Sequence, residues 1–144
     1  MMRTVLVVTA LAIGVSAASA QDPIAARKAL MKSNGQMAQQ GAKFMKGEEP
    51  FDLAKAQAIF ANYQDVAAKA PPLFPDNAKT GGETAALPAV WEKKDEFNAK
   101  LAKLGADAKD AAAKVKDEAS FKTVFPEVQK NCGGCHETFR AKKS

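Results

Sequence analysis

"EASFKTVFPEVQKNCGGCHETFRAKK", residues 118–143, decides how this chain is built. Along it Phe121, Val124, Val128, Cys132, Cys135 and Phe139 are spaced 3, 4, 4, 3 and 4 residues apart, which is the apolar stripe of a helix. Asp117 stands just before the stripe as a candidate N-cap. Pro126 is expected to kink this helix or to mark an early turn, because it has no backbone N–H to donate. Both cysteines of the chain and its one histidine fall within residues 132–136, so one helix carries all three toward the interior.

Working outward, three more helices account for most of the remaining chain. Ala, Lys, Leu and Glu dominate, β-branched residues are few, and no alternating apolar–polar run is present, so strands are not expected. The first helix opens at Asp22-Pro23, a cap followed by Pro at N1, and stops near Gly47. Ile24, Met31, Ala38 and Met45 recur along one face of it, while Gly35 and Gly41 permit close approach of a neighbouring helix or a flat ligand. The second covers Leu53 to Lys69 behind Asp52, with Leu53, Ala56, Ile59, Phe60, Tyr63 and Ala67 on its apolar side. "APPLFPDNAKTGGETAALP" (70–88), with four prolines and two glycines, is a long loop of the kind that serves function or a crossover. The third helix starts near Pro88, uses Val90, Trp91, Phe97, Leu101 and Leu104, and continues toward Val115; Trp91 is read as core. Four helices in one domain predict an all-α four-helix bundle.

The N-terminus carries a different signal. Met1-Met2-Arg3, the apolar run Val5 to Val15 and Ala18-Ser19-Ala20 read as a cleavable secretory leader over residues 1–20, which leaves residues 21–144 as the mature domain. The apolar run is shorter than the ~20 residues a membrane-spanning helix requires. The expected location is therefore outside the cytoplasm, with no membrane anchor after cleavage. The formal net charge of +5 is spread over separate helix faces with no basic stripe and interleaved aromatics, which argues against nucleic acid.

Cys132, Cys135 and His136 form C-x-x-C-H. A disulfide explains the pair but leaves the adjacent histidine unexplained. A thioredoxin-type redox pair needs a βαβ setting that is absent here, and a closed zinc site needs a fourth ligand that no further Cys or His supplies. C-x-x-C-H is the sequence signal for covalent haem attachment: two thiols add to the two vinyl groups of one porphyrin, and the histidine follows as proximal iron ligand. On a helix Cys132 and His136 share one side. Opposite the histidine no second imidazole is available. The mature chain's three methionines, Met31, Met37 and Met45, all lie in the first helix, and Met31 and Met45 share a face. A thioether is a suitable axial ligand, although methionine is more commonly adaptable core filler.

"ARKALMKSNG" (26–35), "FPDNAKTGGETAALPAVWEKKDEF" (74–97) and "CGGCHETFRAKK" (132–143), with the attachment motif near the C-terminus, resemble the cytochrome c′ family of class II c-type cytochromes over the whole mature chain. The resemblance implies an antiparallel four-helix bundle with one haem c among the helices, a periplasmic location, redox partner proteins and frequent homodimers. It places the distal residue at Met31, as in the six-coordinate cytochrome c-556 type. Five-coordinate members that bind nitric oxide or carbon monoxide have a distal residue that does not ligate. Arg27 and Arg140 are expected to pair with haem propionates, and Phe139 to wall the haem. The expected activity is electron carriage without catalysis of a substrate reaction.

Overall fold

The computed structural model describes residues 22–142. The expected leader, residues 1–20, lies outside the described residues. Four long helices, α1 (Pro23–Lys46), α2 (Leu53–Lys69), α4 (Lys94–Lys114) and α5 (Glu118–Phe139), form the bundle, with the single-turn α3 (Ala89–Glu92) leading into α4. Two 3₁₀ turns, Pro71–Leu73 and Asp76–Ala78, shape the connection between α2 and α3. There is no named strand among the described residues.

The starts and stops are those of the sequence. The Asp22 carboxylate accepts from the Ile24 amide ahead of Pro23, and the Asp52 carboxylate accepts from the Lys55 amide. Asp117 and Ser120 make a reciprocal capping box at the head of α5. Gly47 ends α1 at φ 70°, the left-handed conformation that glycine adopts without a Cβ penalty.

Neighbouring helices run antiparallel. Gln57 near the start of α2 donates to the Ala112 and Val115 carbonyls at the end of α4, whereas Ala67 near the end of α2 lies opposite Gly105 in mid-α4. Gly41 of α1 faces Phe125 early in α5, and Met31, ten residues back, lines the same cavities as His136. The predicted antiparallel four-helix bundle is therefore the observed architecture.

The core divides into two clusters. One gathers Phe44, Phe60, Tyr63, Phe121 and Phe125 at the end where α1 meets α2 and α4 meets α5. The other gathers Phe74, Val90, Phe97, Leu101 and Phe139 beneath the long connection.

Several expectations need correction. Leu53 is 42% exposed, because it begins α2 before the helix reaches its neighbours. The α5 stripe buries Phe125, stacked on Phe121 at 4.9 Å, in place of Val124, which is half-buried. Pro126 marks no early turn of α5, which begins eight residues before it and continues through it. The carbonyl it leaves unpaired belongs to Lys122, on the exposed face, where water can serve. The third helix is broken at Lys93 (φ −122°, ψ 47°). On its N-terminal side the Trp91 indole N–H donates to the Phe74 and Pro75 carbonyls, holding α3 to the connection while α4 turns onto the bundle.

Candidate functional site

Between the two core clusters the bundle opens. A cavity of about 240 Å³ is lined by Met31, Gly35 and Ala38 of α1, Leu101 and Leu104 of α4, and Gln129, Cys132, Cys135 and His136 of α5, among others. A second of about 150 Å³ lies under the long connection, lined by Phe74, Val90, Phe97, Phe139 and residues 84–86. Met31, Leu101, Cys135, His136 and Arg140 line both, so the two are lobes of one region. The recurrence Ile24, Met31, Ala38 thus marks a face whose later members border a cavity, which is why Met31 and Ala38 are only half-buried.

α5 brings the attachment motif into this region. Cys132, Cys135 and His136 are each half-buried and the two cysteines are unbridged. Burial pushes both thiols above their ordinary range, Cys135 against the pull of Lys100. Burial also holds the His136 imidazole below its usual range, and the Arg140 charge adds to this, so the neutral, metal-binding form is favoured. Among the described residues no three His, Cys, Asp or Glu side chains converge as a metal shell.

The region fits a flat, largely apolar group with an anionic edge. A Cβ built on Gly35 meets nothing within 4 Å, leaving the α1 wall open where the cavity needs room. The interior is walled by Leu101, Leu104, Phe97 and Phe139, and Phe139 is 3% exposed. Basic side chains stand at the margins: Lys28 on the smaller lobe, Lys100 on the larger, and the exposed Arg140 on both.

Arg27 does something the sequence did not suggest. It is 3% exposed, and its Nη1 donates to the Leu73 carbonyl at 3.2 Å and the Ala78 carbonyl at 2.9 Å. Its Nη2 donates to the Thr84 hydroxyl at 2.6 Å, and the guanidinium lies over the Phe74 ring at 4.8 Å. Desolvation lowers its pKa, and the Asp22 charge opposes that. Arg27 therefore ties the connection to α1, and it also lines the smaller lobe. From Thr84 the chain runs to a short antiparallel bridge with the end of α5, where the Leu87 amide donates to the Phe139 carbonyl at 3.0 Å and the Ala141 amide to the Ala85 carbonyl at 2.8 Å. The long loop is thus a strap across the mouth of the smaller lobe.

Sequence reasoning missed Leu101 as a member of both lobes, and also Lys100, Gln129 and Thr84. Gln129 was accessible to it, since it lies three residues before Cys132 on the same helical side. Thr84 carried no signal, because its partner Arg27 is distant in sequence.

Comparison with known proteins agrees with this geometry. A profile described as cytochrome c′ matches residues 22–140. The cytochrome c′ of Rhodopseudomonas palustris is 48% identical over 123 residues, covering 85% of this chain and 84% of that protein. Cytochrome c-556 of the same organism is 33% identical over 148 residues, covering 99% of each. The solved structure of Rhodopseudomonas palustris cytochrome c′ superposes with a TM-score of 0.84 at 47% identity, covering 87% of this chain and all of that one. The four-helix bundle is what these proteins share with this one, and the chain belongs to the cytochrome c′ family of covalent haem c proteins.

Proposed function

We propose that the mature chain is a periplasmic electron carrier whose haem c is joined to Cys132 and Cys135, with His136 as proximal and Met31 as distal iron ligand. The observation that carries this reading is that Met31 and His136 border the same two lobes from opposite helices, with apolar walls between. When bound, the haem iron supplies one-electron chemistry. The protein's part is to hold the iron's surroundings constant. α1 would hold Met31 and α5 His136 toward the iron, and the aromatic core behind them resists rearrangement. A thioether opposite an imidazole favours the reduced state and raises the potential.

Arg140 suits a propionate, being exposed at the rim of both lobes. Arg27 uses three N–H groups on the strap, so its Nε–H and one Nη2 hydrogen remain for a propionate. Phe139 closes the interior beside the histidine. The leader at residues 1–20 delivers the protein to the periplasm, where redox partner proteins are its clients. A homodimer through bundle faces is consistent with the family. Neither nucleic acid nor membrane is a partner, and no substrate reaction is assigned.

A specific observation favours a second reading. The cytochrome c′ of Rhodopseudomonas palustris is 48% identical to this chain and the cytochrome c-556 of that organism 33%. Under this reading the iron is five-coordinate, Met31 only shields the distal face, and the protein binds nitric oxide or carbon monoxide. Met31→Ala separates the two. Loss of a ligand converts a low-spin ferric spectrum to high-spin, whereas an unchanged spectrum sinks the assignment of Met31.

A further inference from the structure

Tyr63 is the chain's one tyrosine, and its side chain is completely buried. Its hydroxyl accepts from Gln129 Nε2 at 2.6 Å. The other end of the same amide, Gln129 Oε1, accepts from Cys132 Sγ at 3.7 Å. One glutamine therefore joins a buried phenol to the first attachment thiol, and both Gln129 and Cys132 line the larger lobe. Neither the assigned ligands nor the bundle core requires this chain of contacts.

The arrangement satisfies the thiol form only. When Cys132 adds to a vinyl group, the C–S bond forms and the thiol hydrogen passes to the neighbouring vinyl carbon. No electrons are gained or lost, and the sulfur keeps no proton. Gln129 Oε1 then loses its donor, while the Tyr63 O–H finds no acceptor among the described residues. Burial pushes the Tyr63 hydroxyl well above the ordinary tyrosine range, against the hydrogen bond from Gln129, so it stays protonated and needs an acceptor. Exchanging the amide oxygen and nitrogen by a half-turn repairs both ends without moving anything else. The oxygen then sits where Nε2 was, in reach of the Tyr63 O–H, and Nε2 sits where Oε1 was, facing the sulfur.

We propose that, in the haem-bearing protein, Gln129 is a positioning residue that donates an N–H to the Cys132 thioether sulfur and is held in that orientation by the Tyr63 hydroxyl. The proposal rests on haem attachment through Cys132. A donor aimed at a sulfur on the porphyrin edge favours the electron-rich, reduced state, as hydrogen bonds around metal centres generally do.

The test uses the holoprotein, with intact mass and a pyridine haemochrome spectrum recorded first to establish two thioethers. Ultraviolet resonance Raman then reads the tyrosine Fermi doublet, which reports Tyr63 alone. Wild type is expected to give the donor signature. Gln129→Glu keeps that signature, because a carboxylate also accepts, but has no N–H for the sulfur; Gln129→Leu loses it. Both variants are expected to lower the midpoint potential. With two thioethers present, an acceptor signature in wild type, or an unmoved potential in both variants, overturns the relay and leaves attachment standing. Absence of the Cys132 thioether overturns both.

Discussion

The two ends of the bundle are built from the same helices with opposite results. At the closed end Phe121 is fully buried and meets Phe44, Phe60 and Phe125 at ring separations of 5.8, 5.9 and 4.9 Å. At the open end the same α1 and α5 stand apart around Met31, Cys132, Cys135 and His136, and none of these is fully buried. Two glycines of α1 show the difference at the scale of one carbon atom. A Cβ on Gly41 collides with the Phe125 ring, while one on Gly35 meets nothing within 4 Å. Close packing at one end makes the fold self-supporting, which lets the other end be shaped for a cofactor instead of for stability.

Breaking the closed end is expected to have the largest effect. Phe121→Ala removes the ring that four others contact and should cost about 3–5 kcal/mol, read as a lower denaturation midpoint at unchanged slope. Next comes the glycine pair. Gly41→Ala forces the Phe125 ring to move and should cost about 1–3 kcal/mol. Gly35→Ala should leave the bundle unharmed, since Ala is the better helix former by ~1 kcal/mol, and should act instead on the haem spectrum. Equal thermal destabilisation by the two would erase the contrast between the ends.

The smallest effect concerns the exposed cap that starts α5. Hydrogen bonds from Ser120 hold the Asp117 carboxyl below its ordinary range. A depressed folded-state pKa contributes stability above the unfolded value and loses it as pH falls through the folded one. Asp117→Ala should therefore lower Tm by a few degrees at neutral pH, and the two melting curves should converge in acid.

Much of the closed end was legible in the sequence, because it is written in local rules. Asp52, Asp117 and Gly47 mark its helix ends by chemistry that acts within one turn. Ile59, Phe60, Tyr63 and Phe121 follow helical periodicity into the core. The open end was legible as a motif, since C-x-x-C-H states its chemistry in five residues, but its surroundings were not. The burial of Arg27 depends on carbonyls of Leu73 and Ala78 and on the Thr84 hydroxyl, none of which any periodicity links to α1. The break at Lys93 likewise follows from the hold of the connection on Trp91, a tertiary contact overriding a helical pattern. Val124 and Phe125 are both apolar neighbours on one stripe, and ring stacking on Phe121 decided between them.

The absorption spectrum of the wild-type holoprotein, ferric and ferrous, with and without carbon monoxide, tests the ligation of the iron most directly. Axial ligation by His136 and Met31 predicts low-spin spectra in both oxidation states, with carbon monoxide binding limited by departure of Met31. A high-spin ferric spectrum with unhindered carbon monoxide binding would contradict it and leave Met31 as a wall of a gas site.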